Sequence, residues 1–124
     1  MRQININMQT ENDKVLAIIS YLTHLGWIVS FVLYNNDSGK DKMMLTPFHL
    51  RQSLGLILIF LLIPLFSFLF SPVPFVGWLY SLLKNFLYLG NFILWVWGLW
   101  SAVNYRLDPV PFVGEWFQQL FKSL

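Results

Sequence analysis

The sequence predicts an all-α, polytopic integral membrane protein with three transmembrane helices and two short interfacial or re-entrant helices. Hydrophobic residues make up 56% of the 124 residues and charged residues 11%, against roughly 45–50% and about 25% in typical soluble domains. A soluble domain of this size has too much surface to hide so much apolar side chain. The bilayer is therefore the expected solvent, and the length allows one domain, predicted over residues 14–124.

Composition also limits the functions to expect. The net charge of +2 is too small for a nucleic-acid-binding face, and the chain has no cysteine to form a disulfide or a thiolate metal site. Ser20 and His24 share a helical face, but no carboxylate lies within any predicted span to orient them for catalysis. We therefore expect a protein that is not an enzyme, with no metal, haem or other cofactor.

Residues 1–13 are rich in Asn and Gln, have no helical or strand periodicity and are expected to form a flexible polar tail. Glu11, Asn12 and Asp13 could cap the helix that follows. No cleavage site follows the first apolar run, so it is predicted to be a retained membrane helix rather than a signal peptide.

The first predicted span covers about residues 14–34. Its small and polar residues recur at helical spacing and should face protein, with Gly26 and Ser30 allowing another helix to approach closely. His24 lies in the middle of this span, where a polar side chain is a candidate functional residue. The alternative is a neutral imidazole that is bonded to a neighbouring helix.

The second predicted span covers about residues 47–70 and follows a polar loop. Thr46 is a suitable N-cap, and Pro47 suits the first helical position because its missing N–H would be unsatisfied there. Pro64 should kink the helix, since it removes one backbone hydrogen bond.

Residues 71–103 are too short for two more spans. We predict an interfacial or re-entrant helix at about residues 75–85, anchored by Trp78 and Tyr80, because aromatic side chains collect at the membrane–water boundary. The third span then covers about residues 86–103. Its helix-packing face contains Gly90, Asn91 and Gly98.

A six-residue repeat supports a second interfacial helix. Pro-Val-Pro-Phe-Val-Gly occurs at residues 72–77 and again at 109–114. The segment from about 112 to 124 has apolar residues on one face and polar residues on the other, which is typical of a helix in the interface plane. Trp116 and Phe117 are its predicted anchors.

His49, Arg51 and Gln52 stand together at the start of the second span and allow three interpretations. They could satisfy backbone groups at a helix start, with Arg51 near lipid phosphate. They could instead bind an anionic lipid head group or a carboxylate of a partner, which suits a planar guanidinium. A proton or ion path from His49 to His24 is the third.

The segments Leu16-Ala17-Ile18-Ile19-Ser20-Tyr21-Leu22, Phe48-His49-Leu50-Arg51-Gln52-Ser53-Leu54 and Trp100–Gly114 carry a resemblance. The chain resembles the DUF4870 family of small bacterial membrane proteins, related to the Tic20 component of chloroplast protein import. The middle segment is similar to the family signature Phe-His-x-Arg-Gln-x-Leu. The resemblance implies a bacterial inner-membrane protein and a link to protein translocation, and it implies no catalytic residue.

These observations predict an accessory or assembly subunit of a larger membrane complex that acts by helix packing. Its expected partners are membrane lipids, including anionic head groups, and larger membrane proteins, without nucleic acid. The alternative is a small homo-oligomeric channel or transporter. The distribution of lysine and arginine favours the first loop and the C-terminus on the cytoplasmic side.

Overall fold

The computed structural model describes the backbone of residues 2–124 and the side chains from residue 11 onward. The helices are α1 (Arg2–Leu22), α2 (His24–Asn36), α3 (Leu45–Phe70), α4 (Pro74–Val103) and α5 (Gly114–Leu120), with a 3₁₀ turn at Lys40–Lys42. No strand occurs in this part of the chain, which confirms the all-α prediction.

The first predicted span is broken into a helical hairpin. Thr23 has an extended backbone between α1 and α2, and its side-chain oxygen accepts a hydrogen bond from the backbone N–H of Gly26. The two helices fold back on each other, so the Ser30 hydroxyl donates to the carbonyl of Leu16 at 2.6 Å. The prediction of a single helix across residues 14–34 was therefore wrong, because the Thr23 cap starts a new helix that turns back along the first.

The N-terminal residues are helical rather than irregular. Residues 2–13, predicted to be a polar tail, form the first half of α1. Met1, the first residue of that predicted tail, lies outside the described residues.

Helix α3 begins at Leu45 and continues past Pro64 to Phe70, so a helix covers the predicted second span and starts two residues earlier. After a turn, Pro74 takes the first position of α4, which continues for 30 residues. The predicted separation into an interfacial helix at 75–85 and a span at 86–103 was wrong. No proline follows Pro74 within the segment, and a glycine alone costs only about 1 kcal/mol in a helix.

Among the described residues, two helices, α3 and α4, are long and apolar enough to cross a membrane. At 1.5 Å per residue their lengths are about 39 and 45 Å, against a hydrocarbon core of about 30 Å. The first predicted span forms the hairpin of α1 and α2 instead, and α2 with 13 residues is too short to cross alone.

The molecule has a packed end and a bare end. The packed end, called the base, comprises α1, α2, the start of α3, the end of α4 and residues 104–124. Its core contains Ala17, Tyr21, Leu45, Leu56, Ala102 and Phe117. The rest of α3 and α4, residues 57–90, extends from it as a two-helix arm in which Ile63 is the one buried residue.

Candidate functional site

The start of α3 is capped by a side chain from another helix. The Asp13 carboxylate accepts hydrogen bonds from the backbone N–H groups of Met44, Leu45 and Thr46 at 3.0, 2.9 and 2.6 Å. The Thr46 hydroxyl also lies 2.7 Å from this carboxylate. A carboxylate suits a helix N-terminus because the orphan N–H groups and the helix dipole both favour negative charge.

Two predictions about this helix start are corrected. The N-cap residue is Met44, which makes no side-chain cap, and Thr46 and Pro47 lie inside the first turn. Asp13 caps α3 rather than the helix that it belongs to. The local sequence suggests Thr46 because its side chain lies next to the helix start. The acceptor is instead the Asp13 carboxylate, 31 to 33 residues earlier in the chain.

His49 joins three parts of the chain. Its Nδ1 lies 2.8 Å from the Tyr21 hydroxyl of α1, and its Nε2 lies 2.9 Å from the carbonyl oxygen of Arg106. A carbonyl can only accept, so Nε2 carries the proton, and Nδ1 of the neutral ring accepts a hydrogen bond from the Tyr21 hydroxyl. The ring is fully buried, and its hydrogen bonding holds α1, α3 and the segment after α4 together.

Gln52, one turn further along α3, fixes the next part of the same segment. Its side-chain oxygen accepts from the backbone N–H of Val110 at 2.5 Å, and its amide nitrogen donates to the carbonyl of Asp108 at 3.4 Å. A Cβ at Gly114 would lie 2.7 Å from this side-chain oxygen, so only glycine allows the chain so close. Gln52 is fully buried.

Arg51 lies on the α5 side of the same turn and is half-buried. Its Nη2 donates to the carbonyl of Lys122 at 3.2 Å, and its Nη1 lies 3.5 Å from the side-chain oxygen of Gln118. Gln118 in turn donates to the carbonyl of Phe48 at 2.8 Å. Among the described residues, the buried Nε of Arg51 has no acceptor.

The hydrogen bonds of this arrangement hold the base together. Both ring nitrogens of His49 and both polar atoms of the Gln52 side chain are used inside the chain. Within the described part of the chain, no three His, Cys, Asp or Glu side chains form a group that could hold a metal ion. Of the three residues predicted to bind a partner or lipid, Arg51 is the one whose side chain reaches the surface.

The predicted helix-packing residues divide into two groups. Gly26, Ser30, Asn91 and Gly98 lie at contacts between helices: a Cβ at Gly98 would lie 2.6 Å from the Tyr21 ring, and Asn91 donates to the carbonyl of Leu56 at 3.3 Å. His24 is exposed, although its ring centroid lies 5.9 Å from that of Phe60 in α3. Gly90 lies at no such contact, since a Cβ there would meet no described atom within 4 Å.

The predicted interfacial anchors differ in how exposed their side chains are. Trp78 and Trp116 are each 59% exposed, which suits the prediction, and the Tyr80 hydroxyl donates to the carbonyl of Ile63 at 2.7 Å. Phe117 was wrongly predicted. It is 2% exposed and packs on Gly55 of α3, because α5 turns this ring toward the base instead of outward.

Several residues of the site were missed by sequence reasoning. The indole N–H groups of Trp27 and Trp95 donate to the carbonyls of Leu50 and Tyr21, at 2.9 and 2.5 Å. A buried Tyr or Trp polar atom usually finds a partner, and this was the available signal for these residues and for Tyr21. Arg106 contributes its backbone carbonyl, for which a sequence gives no signal.

Compared with protein-family models, curated proteins and solved structures, the chain has no match.

Proposed function

We propose that the chain is a multi-pass membrane protein that acts without catalysis, as an accessory or assembly subunit whose arm packs against helices of a larger membrane complex. The observation that carries this proposal is the bare arm. Only 22% of the most apolar stretch of α3 and 17% of that of α4 is buried within the chain. A core helix of a soluble protein would be mostly buried, so these faces need lipid or other helices around them.

The arm has room for a close helix neighbour. Gly90 lies on α4 next to exposed Phe86 and Ile93, with no described atom near its missing Cβ. Helices in a membrane associate by packing over small residues, because lipid is as apolar as the side chains themselves. A partner helix at Gly90 would cover a surface that the hairpin of α1 and α2 does not reach.

The charge distribution supports an orientation. With α3 and α4 as the crossing helices, the base holds seven of the eight lysines and arginines: Arg2, Lys14, Lys40, Lys42, Arg51, Arg106 and Lys122. Lys84 belongs to the arm. The positive-inside rule therefore favours a cytoplasmic base, with the first loop and the C-terminus inside. The bacterial inner membrane and the link to protein translocation rest on the resemblance to the DUF4870 family and Tic20.

Purification in a mild detergent followed by quantitative mass spectrometry tests the proposal. We expect larger membrane subunits in a fixed ratio to the wild-type chain, and a reduced yield of those subunits with Gly90→Leu. Ser81→Leu is the matched control, because nine residues are about two and a half helical turns and place it on the opposite face of α4.

A single homo-oligomer without other subunits would contradict the proposal. Measurable ion flux from that oligomer in liposomes would establish the alternative, a small channel or transporter.

A further inference from the structure

A cavity of about 500 Å³ lies along the exposed face of the second half of α4. Its wall is apolar and aromatic, and its end at the base is charged. The lining residues are Phe92, Ile93, Val96, Trp97, Trp100, Ser101, Arg106 and Asp108. A volume of this size lies within the range of ligand sites, roughly 300–1,000 Å³.

The turn after α4 fixes the position of the charged end of the cavity. The N–H of Arg106 donates to the carbonyl of Ser101 at 2.8 Å, and the N–H of Tyr105 to that of Ala102 at 3.3 Å. This is the Schellman pattern, with Tyr105 at a φ of 58° where glycine is usual. The ammonium of Lys14 lies 4.5 Å from the Tyr105 ring centroid, which adds a contact to α1.

The backbone at the charged end is fixed while its side chains are free. The carbonyl of Arg106 accepts from the Ser101 hydroxyl at 3.1 Å as well as from His49, and the carbonyl of Asp108 accepts from Gln52. The guanidinium of Arg106 and the carboxylate of Asp108 have no hydrogen bond or ion pair with any described residue, and both residues are exposed. A positive and a negative group thus stand two residues apart on a rigid support.

We infer that this cavity binds a phospholipid with an ethanolamine head group. The phosphate pairs with the Arg106 guanidinium, the primary ammonium with the Asp108 carboxylate, and an acyl chain lies along α4 from Trp100 toward Phe92. That stretch is about 12 Å long at 1.5 Å per residue. The opposite charges of Arg106 and Asp108 match those of a zwitterionic head group. An anionic head group without an amine would leave the Asp108 carboxylate unpaired and beside the negative charge of the lipid.

The depth of the cavity agrees with this ligand. Trp97 and Trp100 are 50% and 65% exposed, and tryptophan collects at the level of lipid head groups. Neither indole N–H has an acceptor among the described residues, so both are available to the phosphate or ester oxygens of a lipid. The Schellman turn brings Arg106 back beside Ser101 in the last turn of α4, so Arg106 and Asp108 line the cavity at the level of the tryptophans.

The inference rests on the membrane location given above, but not on a partner complex. The test uses the purified, delipidated full-length chain in detergent, titrated with phosphatidylethanolamine, phosphatidylcholine or phosphatidylglycerol of identical acyl chains. Native mass spectrometry measures the fraction of lipid-bound protein. The variants are Arg106→Gln and Asp108→Asn, which leave the backbone bonds in place, and Lys122→Gln is the control for loss of a basic charge at the base.

We expect the wild type and Lys122→Gln to bind phosphatidylethanolamine about tenfold more tightly than the other two lipids, the difference that one charge-assisted hydrogen bond makes. Arg106→Gln should weaken the binding of all three lipids, and Asp108→Asn should remove the preference for the ethanolamine head group. Equal binding of the three lipids by the wild type, or binding unchanged by both variants, would overturn the inference. A retained ethanolamine preference without any co-purified subunit would contradict the proposed function alone, and recovery of the chain outside the membrane fraction would contradict both before any titration.

Discussion

At the scale of single residues, the two histidines of the chain have opposite environments. His49 is completely buried between the Tyr21 hydroxyl and the Arg106 carbonyl, whereas His24 is exposed at the tip of the hairpin. The third interpretation of the cluster joined them by a proton or ion path. In the structure both ring nitrogens of His49 are occupied by groups of the base, and His24 contacts the ring of Phe60.

This contrast gives a matched pair of substitutions. His49→Ala should lower the free energy of unfolding by about 2–4 kcal/mol, because it leaves the Tyr21 hydroxyl without its partner and opens a cavity. His24→Ala, at an exposed position, should change it by less than about 0.5 kcal/mol. Unfolding in detergent followed by circular dichroism measures both. Equal losses would mean that His49 has no special part in the base.

Asp13 provides a second test at this scale. Asp13→Ala removes the acceptor of three backbone N–H groups at the start of α3 and should cost about 2 kcal/mol, the upper end for a helix cap. Glu11→Ala, two residues earlier on an exposed face of α1, should leave stability unchanged. The melting temperatures of the two variants measure the effect, and a larger loss for Glu11→Ala would contradict the capping role.

At the scale of elements, apolar length predicted α3 well because Leu54–Phe70 contains no competing cap. It failed for the first span, where Thr23 and Gly26 form a capping bond that lets the chain reverse. A Cβ at Gly26 would lie 2.5 Å from the carbonyl of Ile19, so this glycine serves the hairpin itself rather than an external helix. Apolar composition predicts that a segment is surrounded by apolar groups. A short polar signal such as the Thr23 cap decides whether that segment forms one helix or two.

The contact between α5 and α3 can be tested with two glycines. A Cβ at Gly55 would lie 2.4 Å from the buried Phe117 ring, so Gly55→Ala should cost about 1–3 kcal/mol by overpacking. Gly90→Ala meets open space and should instead stabilise α4 by up to about 1 kcal/mol through helix propensity.

Thermal unfolding and limited proteolysis between residues 104 and 114 measure both effects. We expect faster cleavage for Gly55→Ala only. The same cleavage rate in the two variants would show that Phe117 does not hold α5 in place.

At the scale of the whole molecule, the proposed crossing by α3 and α4 puts the N-terminus, the first loop and the C-terminus on one side of the membrane. The three-span prediction placed the N-terminus on the other side from the first loop. The chain has no native cysteine, so single cysteines report the topology without background. We expect Glu11→Cys, Ser38→Cys and Ser123→Cys to react with a membrane-impermeant maleimide from one side and Ser71→Cys from the other. Labelling of Glu11→Cys together with Ser71→Cys would restore three spans.

The candidate site was predictable in its position and not in its partners. The sequence marks His49, Arg51 and Gln52 as polar residues at the edge of an apolar helix. Their partners at Arg106, Asp108, Val110 and Lys122 are backbone groups, which every residue has. Only the folded chain shows which of these backbone groups the cluster meets.

The connection of His49 to Arg106 has a consequence for the order in which the protein is made. The His49 ring binds a carbonyl 57 residues further along the chain, and the Gln52 side chain accepts from an N–H 58 residues further on. The arm is synthesised in between, so both of its helices leave the ribosome before the base can close. Completion of the base therefore comes only after residues 106–110 have been synthesised, and a nascent chain that stops before Arg106 exposes the same buried polar groups that the folded protein hides.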